Sequence, residues 1–434
     1  MHISKSILAS LLLFAVLCVF AGAYLSGAPG GVPVVSFRAE FAIFVITLLG
    51  VAMFHHHTFY VAVAGLASVL AMKLLFAEGF SLSAHLHHEW HGLTNLFGLL
   101  LGFSVLAKHF EESHIPEALP RFLPNDWKGG FVLLTIVLVL SAFLDNIAAA
   151  MIGGAIALTV FKGKVDIGYC AAIVAASNAG GAGSVVGDTT TTMMWIDGVA
   201  ASDVLHAYVA VVPAFLIFAV IASIKQHKYQ PIQKDTETPH PIEWKRLAVV
   251  VLILIGAIST NIGLDFPAIG VWGAILIGAI FCKTPWGEIG VAMKGTLFLI
   301  SLVLCASMMP VDQLPPASWQ SSMALGFVSS VFDNIPLTKL ALSQGGYDWG
   351  VLAFAVGFGG SMIWFGSSAG VALTNIYPHA RSVGAWIKHG WSIPVAYAIG
   401  FLIMIAVWGW EPHEPHKEAP TAGAQQESTH APAH

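Results

Sequence analysis

Apolar residues fall in long blocks along this chain, at approximately 7–25, 37–54, 58–76, 93–108, 131–161, 168–198, 204–224, 247–262, 268–282, 295–311, 319–342, 349–375 and 385–410, with short polar stretches between. A helix needs about 20 apolar residues to cross a hydrocarbon core about 30 Å thick. The pattern therefore predicts an all-α polytopic membrane protein with about eleven transmembrane helices. The first block follows Lys5 and precedes Leu25-Ser-Gly-Ala. It reads as an uncleaved amino-terminal helix within residues 1–36; a signal peptide removed near residue 28 is the alternative.

Two blocks carry charge where apolar residues are expected. Asp145-Asn146 interrupts Val132–Val160, and Asp333-Asn334 interrupts Trp319–Leu342. Their settings match: Ser141-Ala-Phe-Leu-Asp-Asn-Ile-Ala beside Ser329-Ser-Val-Phe-Asp-Asn-Ile-Pro. An ionisable side chain at membrane depth costs about 3 kcal/mol or more, so a duplicated one implies a site. Each block is predicted to be a re-entrant helical hairpin with its tip at mid-depth, where irregular backbone survives only against protein or water.

This threading sorts the basic residues. One set of loops holds fifteen lysines and arginines, among them Lys108, Arg121, Lys162, Lys225, Arg246 and Lys388. The opposite set holds Arg38, Lys73 and Lys417, with Lys339 left inside the second hairpin. The positive-inside rule then places the amino terminus and the 225–246 linker in the cytoplasm and the 411–434 tail outside. The two hairpins enter from opposite sides, which makes 37–224 and 247–410 two inverted repeats. Interrupted helices at corresponding places in two halves point to a secondary transporter's binding site.

Each half also has a glycine-rich interruption after its hairpin. Gly180-Gly181…Gly187-Asp188-Thr189 aligns with Gly359-Gly360…Gly366-Ser367-Ser368. Glycine here either unwinds a helix, freeing carbonyls that hard cations favour together with Asp, Thr and Ser oxygens, or lets helices approach closely. Asp188 favours the site, because close packing does not require a carboxylate.

Composition narrows the function. The chain is 56% hydrophobic and 10% charged, with mean hydropathy +0.77. A net charge of −5 argues against nucleic-acid binding. Cys18, Cys170, Cys282 and Cys305 show no CxxC spacing, hence neither a disulfide framework nor a zinc site. His85, His87, His88 and His91, with Glu89, are expected in an outward loop, Glu78–Gly92; they are a weak metal candidate, and a solvated loop without a ligand is the preferred reading. His55-His56-His57 is expected in a short inward turn. The tail lacks the apolar content to fold. No nucleotide-binding motif or hydrolytic triad spacing is present, so the expectation is a gradient-driven transporter, with no enzyme activity and no cofactor.

Asn178-Ala-Gly-Gly-Ala-Gly-Ser-Val-Val-Gly-Asp-Thr-Thr-Thr-Thr-Met-Met-Trp195 resembles the broken-helix motif of NhaD-type sodium/proton antiporters. Val331-Phe-Asp-Asn-Ile-Pro-Leu337 and Gly359-Gly-Ser…Gly366-Ser-Ser-Ala-Gly-Val-Ala372 resemble that family's second-half elements. The likeness covers roughly residues 90–410 and departs at Gly183-Ser-Val-Val186, where the family more often shows tryptophan and proline. It implies membership of the ion-transporter superfamily of arsenite and citrate permeases. It also implies a hairpin-bearing domain that moves against a scaffold domain, often within a homodimer; the outward loop and tail, nearly free of Lys and Arg, suit a bacterial inner membrane. Carried over by position, the ion and proton residues would be Asp145, Asn146, Asn178, Asp188, Thr189, Thr190 and Asp333, completed by Asn334, Ser367 and Ser368. Sodium or lithium would compete with protons for these carboxylates, with Asp145 and Asp188 as the exchanging pair. Lys339 would either pair with Asp333 or snorkel outward. The alternative is a carrier of arsenite or a dicarboxylate such as citrate.

Overall fold

The computed structural model describes residues 39–54, 57–77, 79–233 and 241–414. The expected amino-terminal helix, His55 and His56, linker residues 234–240 and tail residues 415–434 lie outside the described residues. Regular structure within them is entirely helical. The helices are α1 (Ala39–Met53), α2 (Thr58–Phe76), α3 (Leu82–Glu111), α4 (Trp127–Ser141), α5 (Asn146–Val160), α6 (Ile167–Ala182), α7 (Thr189–Ile196), α8 (Tyr208–Tyr229), α9 (Trp244–Leu264), α10 (Pro267–Phe281), α11 (Gly287–Ser307), α12 (Trp319–Ser329), α13 (Asn334–Gln344), α14 (Trp349–Gly359), α15 (Ser368–Ile376), α16 (Val383–His389) and α17 (Ser392–Val407), with one-turn helices between some of them.

Five helices among the described residues are long and apolar enough to cross a membrane: α2, α3, α8 with the turn before it, α9 and α11. A sixth is added if α16 and α17, bent by 60° at their junction, count as one span. Other apolar segments are shorter, some of them because polar residues break them. The block at 131–161 becomes α4 and α5, broken at 142–145, and the block at 319–342 becomes α12 and α13, broken at 330–333.

One expectation is corrected here. The histidine stretch is not a loop: α3 starts at Leu82, capped by Ser81, whose side chain accepts from the Ala84 amide. Thirty residues make a helix of about 45 Å, longer than the hydrocarbon layer, so its first turns are polar without ceasing to be helix. His85 Nε2 is 2.9 Å from Ser307 Oγ, and His91 stands edge-on to Phe266. Among the described residues, no group of three or more His, Cys, Asp or Glu is placed to hold a metal.

The helices pack as two bodies. In the first, α1 lies on α2, α9 on α10, and the long helices α3 and α11 on each other and on α10 and α2 respectively. In the second, α4 packs on α6 and α12 on α14; α8 and α17 flank them, α5 lies against α15, and α7 against α13; α13 also lies against α11 and α7 against α3, which joins this body to the first. The centres of the second body are α6 and α14, buried on nearly every face from Gly168 to Ala182 and from Trp349 to Gly359. A helix apolar all round belongs inside, and small residues let such helices approach closely in a medium that supplies no hydrophobic drive between them. A Cβ at Gly180 would land on the carbonyl oxygen of Leu138, and one at Gly359 on that of Gly326.

The same kind of hydrogen bond fixes the ends of α4 and α12. Ser141 Oγ donates to the Ser177 carbonyl (2.5 Å) and Ser329 Oγ to the Val356 carbonyl (2.7 Å), tying α4 to α6 and α12 to α14.

Candidate functional site

Four helices begin inside the second body rather than at its surface: α5, α7, α13 and α15. The residues at their N-cap positions are Asp145, Asp188, Asp333 and Ser367. Asp188 Oδ1 accepts from the Thr190 amide (3.3 Å), Asp333 Oδ1 from the Ile335 amide (3.0 Å), and Ser367 Oγ from the Gly370 amide (3.3 Å). Aspartate and serine are favoured there because they satisfy first-turn amides and complement the positive end of the helix dipole. Part of the reason for carboxylates at this depth is thus local structure.

The remainder is a cavity. About 1180 Å³ in volume, it is lined at its inner end by Asp145, Asp188, Thr189, Asp333, Ser367 and Ser368. It runs between α5 and α15 on one side and α3 and α11 on the other to a mouth bearing Lys108, Glu111, Glu117, Arg121 and Glu288. Asn146, Asn178, Thr190 and Asn334 are buried behind this lining.

Asn178 is the centre of the second layer. Its Nδ2 donates to Ser361 Oγ (3.0 Å) and Ser367 Oγ (3.1 Å), and its Oδ1 accepts from Asn146 Nδ2 (3.1 Å). Asn146 Nδ2 also lies 3.5 Å from Asp188 Oδ1. On the other side of the site, Ser368 Oγ donates to Asp333 Oδ2 (3.3 Å). Asp188 itself is 2% exposed, and its Oδ2 has no hydrogen-bond partner. An anionic oxygen so placed is costly unless a proton or a cation meets it.

Two readings of the sequence change. Gly180, Gly181 and Gly359 do not break helices; they lie within the last turns of α6 and α14, where a side chain would strike neighbouring backbone. Gly187, Gly360 and Gly366 do lie in the breaks. Lys339 neither pairs with Asp333 nor snorkels: its Nζ lies 3.0 Å from Glu89 Oε2 and 3.6 Å from Asp197 Oδ2. Ser361 joins the site through Asn178; its place directly after Gly359-Gly360 is the signal for it in the sequence.

Fold and site together define a polytopic helical membrane protein built around a buried acidic cavity. The chain belongs to the citrate transporter family, whose sequence profile matches residues 32–359. Within it, the chain is similar to NhaD-type sodium/proton antiporters. It is 26% identical to sodium/proton antiporter 1 of Arabidopsis thaliana, an alignment covering 69% of this chain and 57% of that protein. It is 27% identical to the Na(+)/H(+) antiporter NhaD of Alkalimonas amylolytica (65% of this chain, 68% of the relative) and to that of Vibrio cholerae (65% and 72%). The chain therefore spans little more than half the length of the plant relative and about two thirds of the bacterial ones.

Proposed function

We propose that this protein exchanges sodium or lithium ions for protons across a bacterial inner membrane, the cation and the protons competing for Asp145, Asp188 and Asp333. The observation that carries the reading is the buried, partnerless Asp188 Oδ2 at the end of a cavity that all three carboxylates line. An empty, charged site of this kind resists enclosure; a proton or a small cation relieves it, and exchange follows if the site moves only when neutralised. Hydroxyls of Thr189, Ser367 and Ser368 line the same surface and supply oxygen ligands of the type hard cations take.

In this reading α4–α5 and α12–α13 are re-entrant hairpins of two inverted repeats. Their second arms point to opposite ends of the protein: α5 ends at Thr159 and Val160 on the cavity wall that Glu111 shares, while α13 reaches Glu89, about 30 Å away along α3 at 1.5 Å per residue. The mouth, at the end with the lysine- and arginine-rich loops, is the cytoplasmic side, and the second body is the moving one.

The family's citrate-transporter description raises the anion alternative, and converging helix N-termini could hold a carboxylate substrate. Three of those four ends carry their own aspartate, and the lysine and arginine of the cavity stand at its mouth, so the site favours a cation. In everted vesicles carrying the wild-type chain, sodium should dequench a pH-sensitive dye. Asp145→Asn and Asp188→Asn should each abolish the response. Normal exchange in both variants rejects the assignment, and a wild type that moves protons only when an anion is supplied rejects the class.

A further inference from the structure

We propose that Glu89, Lys339 and Asp197 form an outer latch: a buried ion cluster that clamps the two bodies together at the end remote from the cavity mouth. This rests on the two-body transport reading above. Lys339 sits six residues after Asp333 on α13, about 9 Å further along the helix axis, and its Nζ reaches Glu89 Oε2 at 3.0 Å. Glu89 is on α3, in the first body, whereas α13 belongs to the second, so this ion pair crosses the seam between them. Neither side chain is in open water: Lys339 is 10% exposed and Glu89 12%. Around the pair the seam is apolar, with Leu340 of α13 packed in a cluster that includes Phe44, Leu48, Val69 and Leu302.

Asp197 explains how such a pair could open. It follows α7, in the same body as Lys339, and lies 3.6 Å from Nζ. A lysine held by Glu89 alone would be left buried and bare when the bodies separate, which is strongly unfavourable. With Asp197 travelling beside it, Lys339 keeps a counter-ion in both states, and of its two ion pairs only the one to Glu89 is made in a single state. A contact made in one state alone shifts the balance between the two. The short α13 carries Asp333 at one end and the latch lysine about 1.7 turns on, so the ion site and the outer seam share one rigid element.

The test uses the full chain in vesicles of both orientations, with Cys18, Cys170, Cys282 and Cys305 replaced by alanine and Ala148→Cys, on the cavity wall, as reporter. A membrane-impermeant maleimide should label this parent from the mouth side. Glu89→Gln should raise labelling from the opposite side about tenfold, the response to a shift of about 1.4 kcal/mol between the two states. Glu89→Asp should raise it less, and Asp197→Asn, which leaves the seam pair intact, should not raise it. Should Glu89→Gln fail to fold, the neutral pair Glu89→Gln/Lys339→Met takes its place with the same expected rise. Unchanged opposite-side labelling overturns the latch, and so does an equal rise in Asp197→Asn, which would mark general loosening. Labelling needs no ion flux: a parent without sodium-driven proton movement that still responds to Glu89→Gln refutes the antiport reading and leaves the latch standing.

Discussion

Replacing Asn178 with alanine tests whether the two halves of the site are joined by hydrogen bonds or by packing alone. The side chain is fully buried and takes part in three hydrogen bonds, to Asn146, Ser361 and Ser367. Bonds of this kind contribute about 0.6 kcal/mol on average between membrane helices and about 1 kcal/mol in soluble proteins. Three of them amount to about 2–3 kcal/mol, and the vacated volume adds less than about 1 kcal/mol. The loss is not shared evenly. Ser367 Oγ keeps the Gly370 amide as donor, whereas Asn146 is left with only the longer contact to Asp188 Oδ1. The main damage should therefore be to the placement of Asn146 and Asp188. In detergent, the melting midpoint followed by tryptophan fluorescence should fall by about 5 °C, taking about 2 °C per kcal/mol for a large chain. On the proposed function, the sodium concentration for half-maximal exchange should also rise. A midpoint within about 1 °C of wild type would refute the hydrogen-bond account.

Three further outcomes follow from packing. Gly180→Ala and Gly359→Ala put a methyl onto backbone carbonyls that cannot swing aside, and each should cost about 3 kcal/mol, read as a lower melting midpoint and poorer yield. Gly263→Ala, in α9 where a Cβ meets nothing within 4 Å, should instead stabilise by about 0.5–1 kcal/mol, seen as a small rise in the same measurement. Ser141→Ala and Ser329→Ala each remove one buried hydroxyl-to-carbonyl bond and should destabilise by similar amounts, about 1 kcal/mol; a large effect from one alone would show that the matched bonds are not equivalent.

Much of the site was legible in the sequence, for a physical reason. Apolar blocks register clearly because the solvent is lipid, and within them a carboxylate stands out against its surroundings. Asp145, Asp188 and Asp333 stand out that way, and glycine spacing marks two segments of matching pattern. The capping bonds of Asp188 and Asp333 were less visible, because a cap is recognised only once the helix start is known. Hydropathy also misread the start of α3: polar residues where a long helix leaves the membrane look the same as a loop.

The amino-acid order by itself determined the helical class, the places where helices must break, and the residues whose burial needs a partner, since these follow from local chemistry against an apolar medium. Which partners those residues meet was decided by tertiary structure. Glu89 and Lys339, 250 residues apart in the chain, come together only because α13 packs against α11 and α7, both of which lie on α3, and Asn178 finds Ser361 and Ser367 only because α6 lies against α14 and α15. Such contacts depend on how whole helices dock, and no local pattern encodes the identity of the atom on the far side.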